Sequence, residues 1–219
     1  MSFNGFATRA TAGRLLAKRL MTMAIEDPVV LALPRGGVPV AAEVAKALEA
    51  PIDLVMVRKI GVPWQPELAA AAVVDGGETE VILNEPVMRM AGLERKDLDE
   101  GVARELAEIA RRRTRYLGGR TPIVVTGHTA IVVDDGIATG TTMRAALRAV
   151  RRRGPKRLVL AVPVAPPDAI ATLRAEVDDV VCLEQPRNFG AIGVFYADFH
   201  QVPDDEVIGL LAGCMDGMP

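Results

Sequence analysis

The spacing of apolar positions changes along this chain, and the changes mark out alternating helices and strands. Residues 13–23 carry Leu15, Leu16, Leu20 and Met23 at helical spacing, which predicts an amphipathic helix laid on the body of the protein. A short apolar run over 29–33 predicts the first strong strand, with a helix over 40–48 behind it and a second strand over 52–57. Two extended segments flanking Asp75-Gly76-Gly77 and ending at Leu83 predict a β-hairpin. Residues 86–116 read as helical and charged, with Leu98, Val102, Leu106, Ile109 and Ala110 on one stripe. Gly118-Gly119-Arg120-Thr121-Pro122 then breaks the chain ahead of a strand near Ala130. A helix over 143–150, a strand over 157–164, a short helix to Glu176, a strand over 180–183 and a last amphipathic helix over 203–211 complete the pattern. Strands and helices alternating at these lengths predict an α/β fold, a right-handed parallel sheet with helices on both faces.

Composition narrows this picture. Half of the 219 residues are hydrophobic but only 4% are aromatic, so Ala, Val, Leu and Ile must do most of the packing, as in a sheet buried on both faces. The formal net charge of −2 gives no general attraction to nucleic acid or to an anionic membrane. Arg111, Arg112, Arg113 and Arg115 sit at a helix C-terminus, where cations suit the dipole, and lack the interleaved aromatics of an RNA-binding surface. Cys182 and Cys214 are too few for a disulfide framework and lack metal-site spacing, which fits a reducing cytoplasm. No apolar run reaches the roughly 18 residues that a bilayer span needs. The first 25 residues are basic through Arg9, Arg14, Lys18 and Arg19, as in a transit peptide. Their apolar residues run straight into the next strand, which favours a domain helix. Arg9 is read as a solvated residue, with phosphate contact as the other reading.

The candidate chemistry gathers in Ile131-Val132-Val133-Asp134-Asp135-Gly136-Ile137-Ala138-Thr139-Gly140-Thr141-Thr142. A β-branched run meets two carboxylates, passes through a loop of glycines and hydroxyls, and enters a helix. At the carboxyl end of a parallel strand, Asp134 and Asp135 would stand at the mouth of the crevice where open α/β sheets bind ligands, able to accept from a vicinal diol. Glycines, hydroxyls and the free amides of a helix start make the following loop a phosphate cradle. A nucleotide-hydrolysing P-loop is disfavoured because Thr141, not Lys, follows Gly140. A dinucleotide turn would place its glycines before the acid. An acidic pair that merely ends a strand and caps a helix is the plain alternative.

Other stretches admit two readings each. Arg35-Gly36-Gly37, between strand and helix, offers amides and a charge to an anion, or is a βα turn that uses glycine for steric reasons. Arg58 and Lys59, at the predicted end of the second strand, neutralise a polyanion or are solvated. Glu67 is an acid of the loop ahead of the hairpin, with or without a role. Phe195, Tyr196 and Phe199 stack on a flat ring whose edge Asp198 reads, or they cover a sheet edge.

From Ile131 to Thr142 the sequence resembles the type I phosphoribosyltransferases, whose signature is an apolar strand, two acids and a Thr/Gly-rich loop. Arg58-Lys59-Ile60-Gly61, Pro66-Glu67-Leu68-Ala69, the hairpin and Phe195-Tyr196-Ala197-Asp198-Phe199 together resemble a bacterial family of stand-alone members with unsettled acceptor. The resemblance implies a parallel-sheet type I fold with a flexible β-hairpin and a small hood built from terminal segments. It implies a single domain over 1–219, with a core of about 25–185 and a hood from about 1–24 and 186–219. It also implies a cytoplasmic enzyme of nucleotide salvage, possible as a homo-oligomer. Its reaction is the Mg²⁺-dependent transfer of the 5-phosphoribosyl group from phosphoribosyl pyrophosphate to a nitrogenous base, with release of pyrophosphate. In that scheme Asp134 and Asp135 position the ribose and are the candidate contacts to Mg²⁺. Ala138, Thr139, Gly140, Thr141 and Thr142 hold the 5-phosphate, while Arg35, Gly36, Gly37, Arg58 and Lys59 hold the pyrophosphate. Glu67 acts on the incoming base, which Phe195, Tyr196 and Asp198 bind. Ala138 stands where enzymes for 6-oxopurines carry Asp, which disfavours guanine and hypoxanthine. Two other functions fit the residues: a regulatory sensor of a nucleotide or of phosphoribosyl pyrophosphate on the same fold, and a Mg²⁺-dependent phosphatase with Asp134 as nucleophile.

Overall fold

A computed structural model describes residues 5–75 and 80–214. In chain order they form α1 (Arg9–Leu20), β1 (Pro28–Ala32), α2 (Gly37–Leu48), β2 (Ile52–Leu54), β3 (Met56–Val62), β4 (Gln65–Asp75), β5 (Glu80–Leu83), α3 (Glu85–Ala91), α4 (Asp99–Leu117), β6 (Thr129–Val133), α5 (Thr141–Arg152), β7 (Arg157–Val164), α6 (Pro167–Leu173), β8 (Asp179–Glu184) and α7 (Asp204–Gly213). The strands β2-β1-β6-β7-β8 pair in parallel in that order. Because successive side chains of a strand point to opposite faces, the sheet feeds two apolar layers. Val30, Ile131, Val133 and Val159 pack with α1, α2 and α7, whereas Leu31, Val132, Leu158 and Leu160 pack with α5 and α6. Leu31, Leu147, Leu158 and Leu160 are fully buried, and each such side chain contributes about 1.5–3 kcal/mol of transfer free energy.

The strand expected over 52–57 is two strands. After β2, the amide of Val55 still donates to Ala32 O at 3.0 Å, but from Met56 the chain leaves the parallel sheet. It opens a second, antiparallel sheet of order β3-β4-β5. A continuous apolar run carries no mark of where one sheet hands over to another, so periodicity joined the two. The hairpin is also longer than expected, since β4 begins at Gln65 and pairs with both neighbours. Its expected tip at Gly76 and Gly77 lies outside the described residues.

Other boundaries move for local reasons. The helix α1 starts at Arg9 because the Thr8 side chain accepts from the Thr11 amide at 3.1 Å and caps it. The helical stretch expected over 86–116 is interrupted where Gly92, in the left-handed region at φ +63°, ends α3. A 3-10 turn over Arg95–Leu98, boxed by Glu94 and Asp97, then leads into α4. The two terminal segments meet: Phe6 donates to Phe195 O at 2.8 Å, and Ala197 and Asp198 donate back to Phe6 O and Ala7 O at 2.9 and 3.0 Å. Phe6 and Tyr196 cluster there with Ala12 and Val164, the last residue of β7. No described helix is long and apolar enough to cross a membrane.

Candidate active site

From β1 the chain moves outward to β2 on one side, while β6 lies against β1 on the other. The strand order therefore reverses between β1 and β6, and the loops leaving those two strands frame the crevice where open α/β sheets take ligands. The amide of Leu33 donates to Val133 O at 3.0 Å and holds the two loops side by side. The peptide bond between Pro34 and Arg35 is cis. A Cβ on Gly36 would land on Oδ2 of Asp135, and one on Gly37 would lie 2.8 Å from Val133 O and 2.9 Å from Asp134 Cα. The Gly-Gly pair thus meets a steric demand. The Gly37 amide is already spent on Leu33 O at 3.0 Å, so it is not available to an anion.

The acidic pair divides. Asp134, at the end of the wholly buried β6, is partly exposed. One of its oxygens accepts from the Asp135 amide at 2.9 Å, and the other takes no hydrogen bond from a described residue. Burial first, and then the neighbouring Asp135 charge, push the Asp134 carboxyl well above its usual range. Asp135, expected at the crevice mouth beside it, is instead 7% exposed and bound by Arg9, whose Nε donates to Oδ2 at 2.7 Å. Arg9 is thus not the solvated residue expected of it. Burial raises the Asp135 carboxyl as well, opposed by Arg9.

The loop from Gly136 to Gly140 follows from its contacts. The Ile137 amide donates to Val164 O at 2.9 Å, and Gly136 leaves no room for a Cβ beside Ile192 and Val164. Gly140, at φ +76°, caps α5 in the left-handed conformation that glycine adopts without cost. Ala138, Thr139 and Thr141 are exposed. The hydroxyls of Thr139 and Thr141 lie 3.4 Å apart. Among the described residues none accepts a hydrogen bond from the amides of 139–142. Those amides and hydroxyls, at the positive end of a helix dipole, suit a phosphate.

The two cations part company. Arg58 and Lys59 lie inside β3, not at the end of a parallel strand, and adjacent strand residues face opposite ways. Arg58 turns to α4, where its Nε donates to Glu105 at 2.7 Å. Lys59 is exposed, has no carboxylate partner among the described residues, and shares a cleft of about 70 Å³ with Thr141, Thr142, Arg144 and Asn84. Arg35 reaches away toward α7, 3.5 Å from Asp204. Glu67 belongs to β4 rather than a loop, is exposed, and does not line that cleft.

The aromatic segment is rearranged from what its composition suggests. Tyr196 is 4% exposed, its ring against Phe6 and Phe199 with centroids 5.4 and 5.1 Å away, so it has no open face for a base. Phe195 is partly exposed and stacks on Phe189 at 5.4 Å. Asp198 is exposed and accepts from His200, which holds its carboxyl below the usual range. Sequence reasoning passed over the Arg9 contact. Its signal was the pair of adjacent carboxylates ending an apolar strand, because a buried charge calls for a counter-ion. Among the described residues no group of three or more His, Cys, Asp or Glu could hold a metal ion.

The family model described as a phosphoribosyl transferase domain matches residues 7–200. Two Mycobacterium tuberculosis proteins, from strains CDC 1551 and H37Rv, each named "Putative phosphoribosyl transferase", are 47% identical over 206 residues. The match takes in 94% of this chain and 46% of theirs. The chain thus spans about half the length of the curated relatives it matches. The crystal structure of TT1426 from Thermus thermophilus is 42% identical, superposes with a TM-score of 0.83, and is matched over 95% of this chain and 98% of that one. A parallel five-stranded sheet, acids and a threonine-glycine loop at its switch point, and these matches lead to one conclusion: the chain belongs to the phosphoribosyl transferase domain family, on the type I fold.

Proposed function

We propose that the chain transfers a 5-phosphoribosyl group from phosphoribosyl pyrophosphate to a nitrogenous base and releases pyrophosphate. One observation carries the reading: among the described residues no donor reaches the second Asp134 oxygen and no acceptor takes the amides of 139–142, in the loop that runs from that acid into α5. A phosphorylated pentose spans both, its hydroxyls on the acid and its phosphate at the start of α5. Lys59 adds a positive charge on the α5 side of the site. The amides of Arg35 and Gly36 are donors for the pyrophosphate. With no cluster of metal-ligating side chains among the described residues, Mg²⁺ would be held mainly by pyrophosphate and sugar oxygens, with Asp134 as the protein's contact. Bound there, it would neutralise charge on the departing pyrophosphate. The acceptor rests between the terminal segments and the crevice, and Ala138 argues against a 6-oxopurine. Residues 1–219 act as one domain in this reading, with the paired terminal segments as its hood.

A second reading is favoured by the Arg58–Glu105 ion pair. With one of the two expected cations engaged, the same site serves a sensor that binds the sugar phosphate without turnover. Incubation with labelled phosphoribosyl pyrophosphate, Mg²⁺ and a panel of bases decides. Pyrophosphate release that depends on one base is the expected result. Binding without release selects the sensor, and release of phosphate from unrelated esters would sink both.

A further inference from the structure

Arg9, the first residue of α1, reaches both the acid pair and the C-terminal segment. Its Nε donates to Asp135 Oδ2 at 2.7 Å and its Nη1 to the carbonyl of His200 at 2.9 Å. Its guanidinium carbon lies 3.8 Å from the ring centroid of Phe199. Tyr196, two residues from Asp198, donates to the backbone carbonyl of the same Asp135 at 2.6 Å. Arg9 and Asp135 are each 7% exposed. A buried pair of this kind is costly to break from either side, because the partner left behind keeps its charge away from water. The Asp135 carboxylate is therefore held by Arg9, with its Oδ2 where a Cβ on Gly36 would fall. Asp134 differs in being partly exposed and in having no cation partner among the described residues, although each acid keeps one oxygen that takes no hydrogen bond from a described residue.

Resting on the sugar-phosphate reading above, we propose that Arg9 is a positioning residue that divides the acid pair. It clamps Asp135 as an anchor between the crevice and the paired terminal segments, and it leaves Asp134 as the carboxylate offered to the sugar diol. The two acids, alike in sequence, then have different work. Asp134 reads the hydroxyls, while Asp135 fixes the backbone that presents Asp134 and joins it to the 195–200 segment.

Two measurements on the full chain test this. The first is calorimetry with ribose 5-phosphate and 2-deoxyribose 5-phosphate. Wild type prefers the ribose by about tenfold, the worth of one charge-assisted hydrogen bond. Asp134→Asn abolishes that preference, while Asp135→Asn keeps it and weakens both sugars alike. Equal loss of the preference in the two variants would overturn the division of roles. The second is hydrogen exchange at the amides of Ala197 and Asp198, which bond to Phe6 and Ala7. Exchange accelerates in Arg9→Met and in Asp135→Asn, is unchanged in Asp134→Asn, and is partly restored in Arg9→Lys. Unaltered exchange in Arg9→Met would overturn the clamp. If wild type binds neither sugar, the proposed function falls and the division of roles with it, while the exchange arm still decides whether Arg9 clamps.

Discussion

The hydroxyl of Tyr196 donates to the backbone carbonyl of Asp135 at 2.6 Å, joining the C-terminal segment to the turn after the central strand. Burial pushes the phenol above its usual range, which favours the protonated form that donates. Tyr196→Phe keeps the ring contacts with Phe6 and Phe199 but orphans a buried carbonyl, which costs about 1–3 kcal/mol. Urea denaturation should show that loss as a lower midpoint with unchanged slope.

Gly36 has an ordinary helical φ of −58°, so Gly36→Ala costs nothing in backbone conformation. The added methyl collides with the Asp135 carboxylate and must displace it from Arg9. Overpacking of this kind costs about 1–3 kcal/mol. Thermal unfolding should reveal the loss, and ribose 5-phosphate should bind more weakly than to wild type.

Arg113 donates to both oxygens of Asp53 at 2.9 and 3.0 Å, and Asp53 also accepts from the amides of Leu54 and Ile123. Their side chains are 13% and 4% exposed. Arg113→Met strands a carboxylate inside the protein and should destabilise it by about 3–5 kcal/mol. Adding Asp53→Asn should recover part of the loss, as a urea double-mutant cycle would measure.

His200 bridges two acids, with Nδ1 3.0 Å from Asp198 and Nε2 3.0 Å from Glu206. Hydrogen bonding to Glu206, then to Asp198, raises its pKa above 6.5. A raised folded-state pKa means that this bridge contributes fully below pH 6.5 and is lost as pH rises through the folded value. Nuclear magnetic resonance titration should place the His200 midpoint above 6.5, and Glu206→Gln should move it down.

The parallel sheet, its two-faced strands and the acid–loop–helix turn were legible in the residues. Each of these depends on local period: β-branched runs for β1, β6 and β7, helical spacing for α5, and a glycine where α5 is capped. The ends of α1 and α3 were less legible, because caps are single contacts such as Thr8 to Thr11 and single conformations such as that of Gly92. The handover from β2 to β3 left no mark, because both strands are apolar, and it carried Arg58 and Lys59 to opposite faces.

The sequence by itself determined that two carboxylates would end an apolar strand, and it placed both at the crevice mouth. It did not say that one would be paired, or with which of the chain's 26 Lys and Arg residues. Tertiary structure chose Arg9, 126 positions away, and made unequal partners of two adjacent aspartates. Local pattern fixes which face a side chain takes. Its charge partner depends on how helices settle on the sheet, and that placement is decided by packing across the whole core.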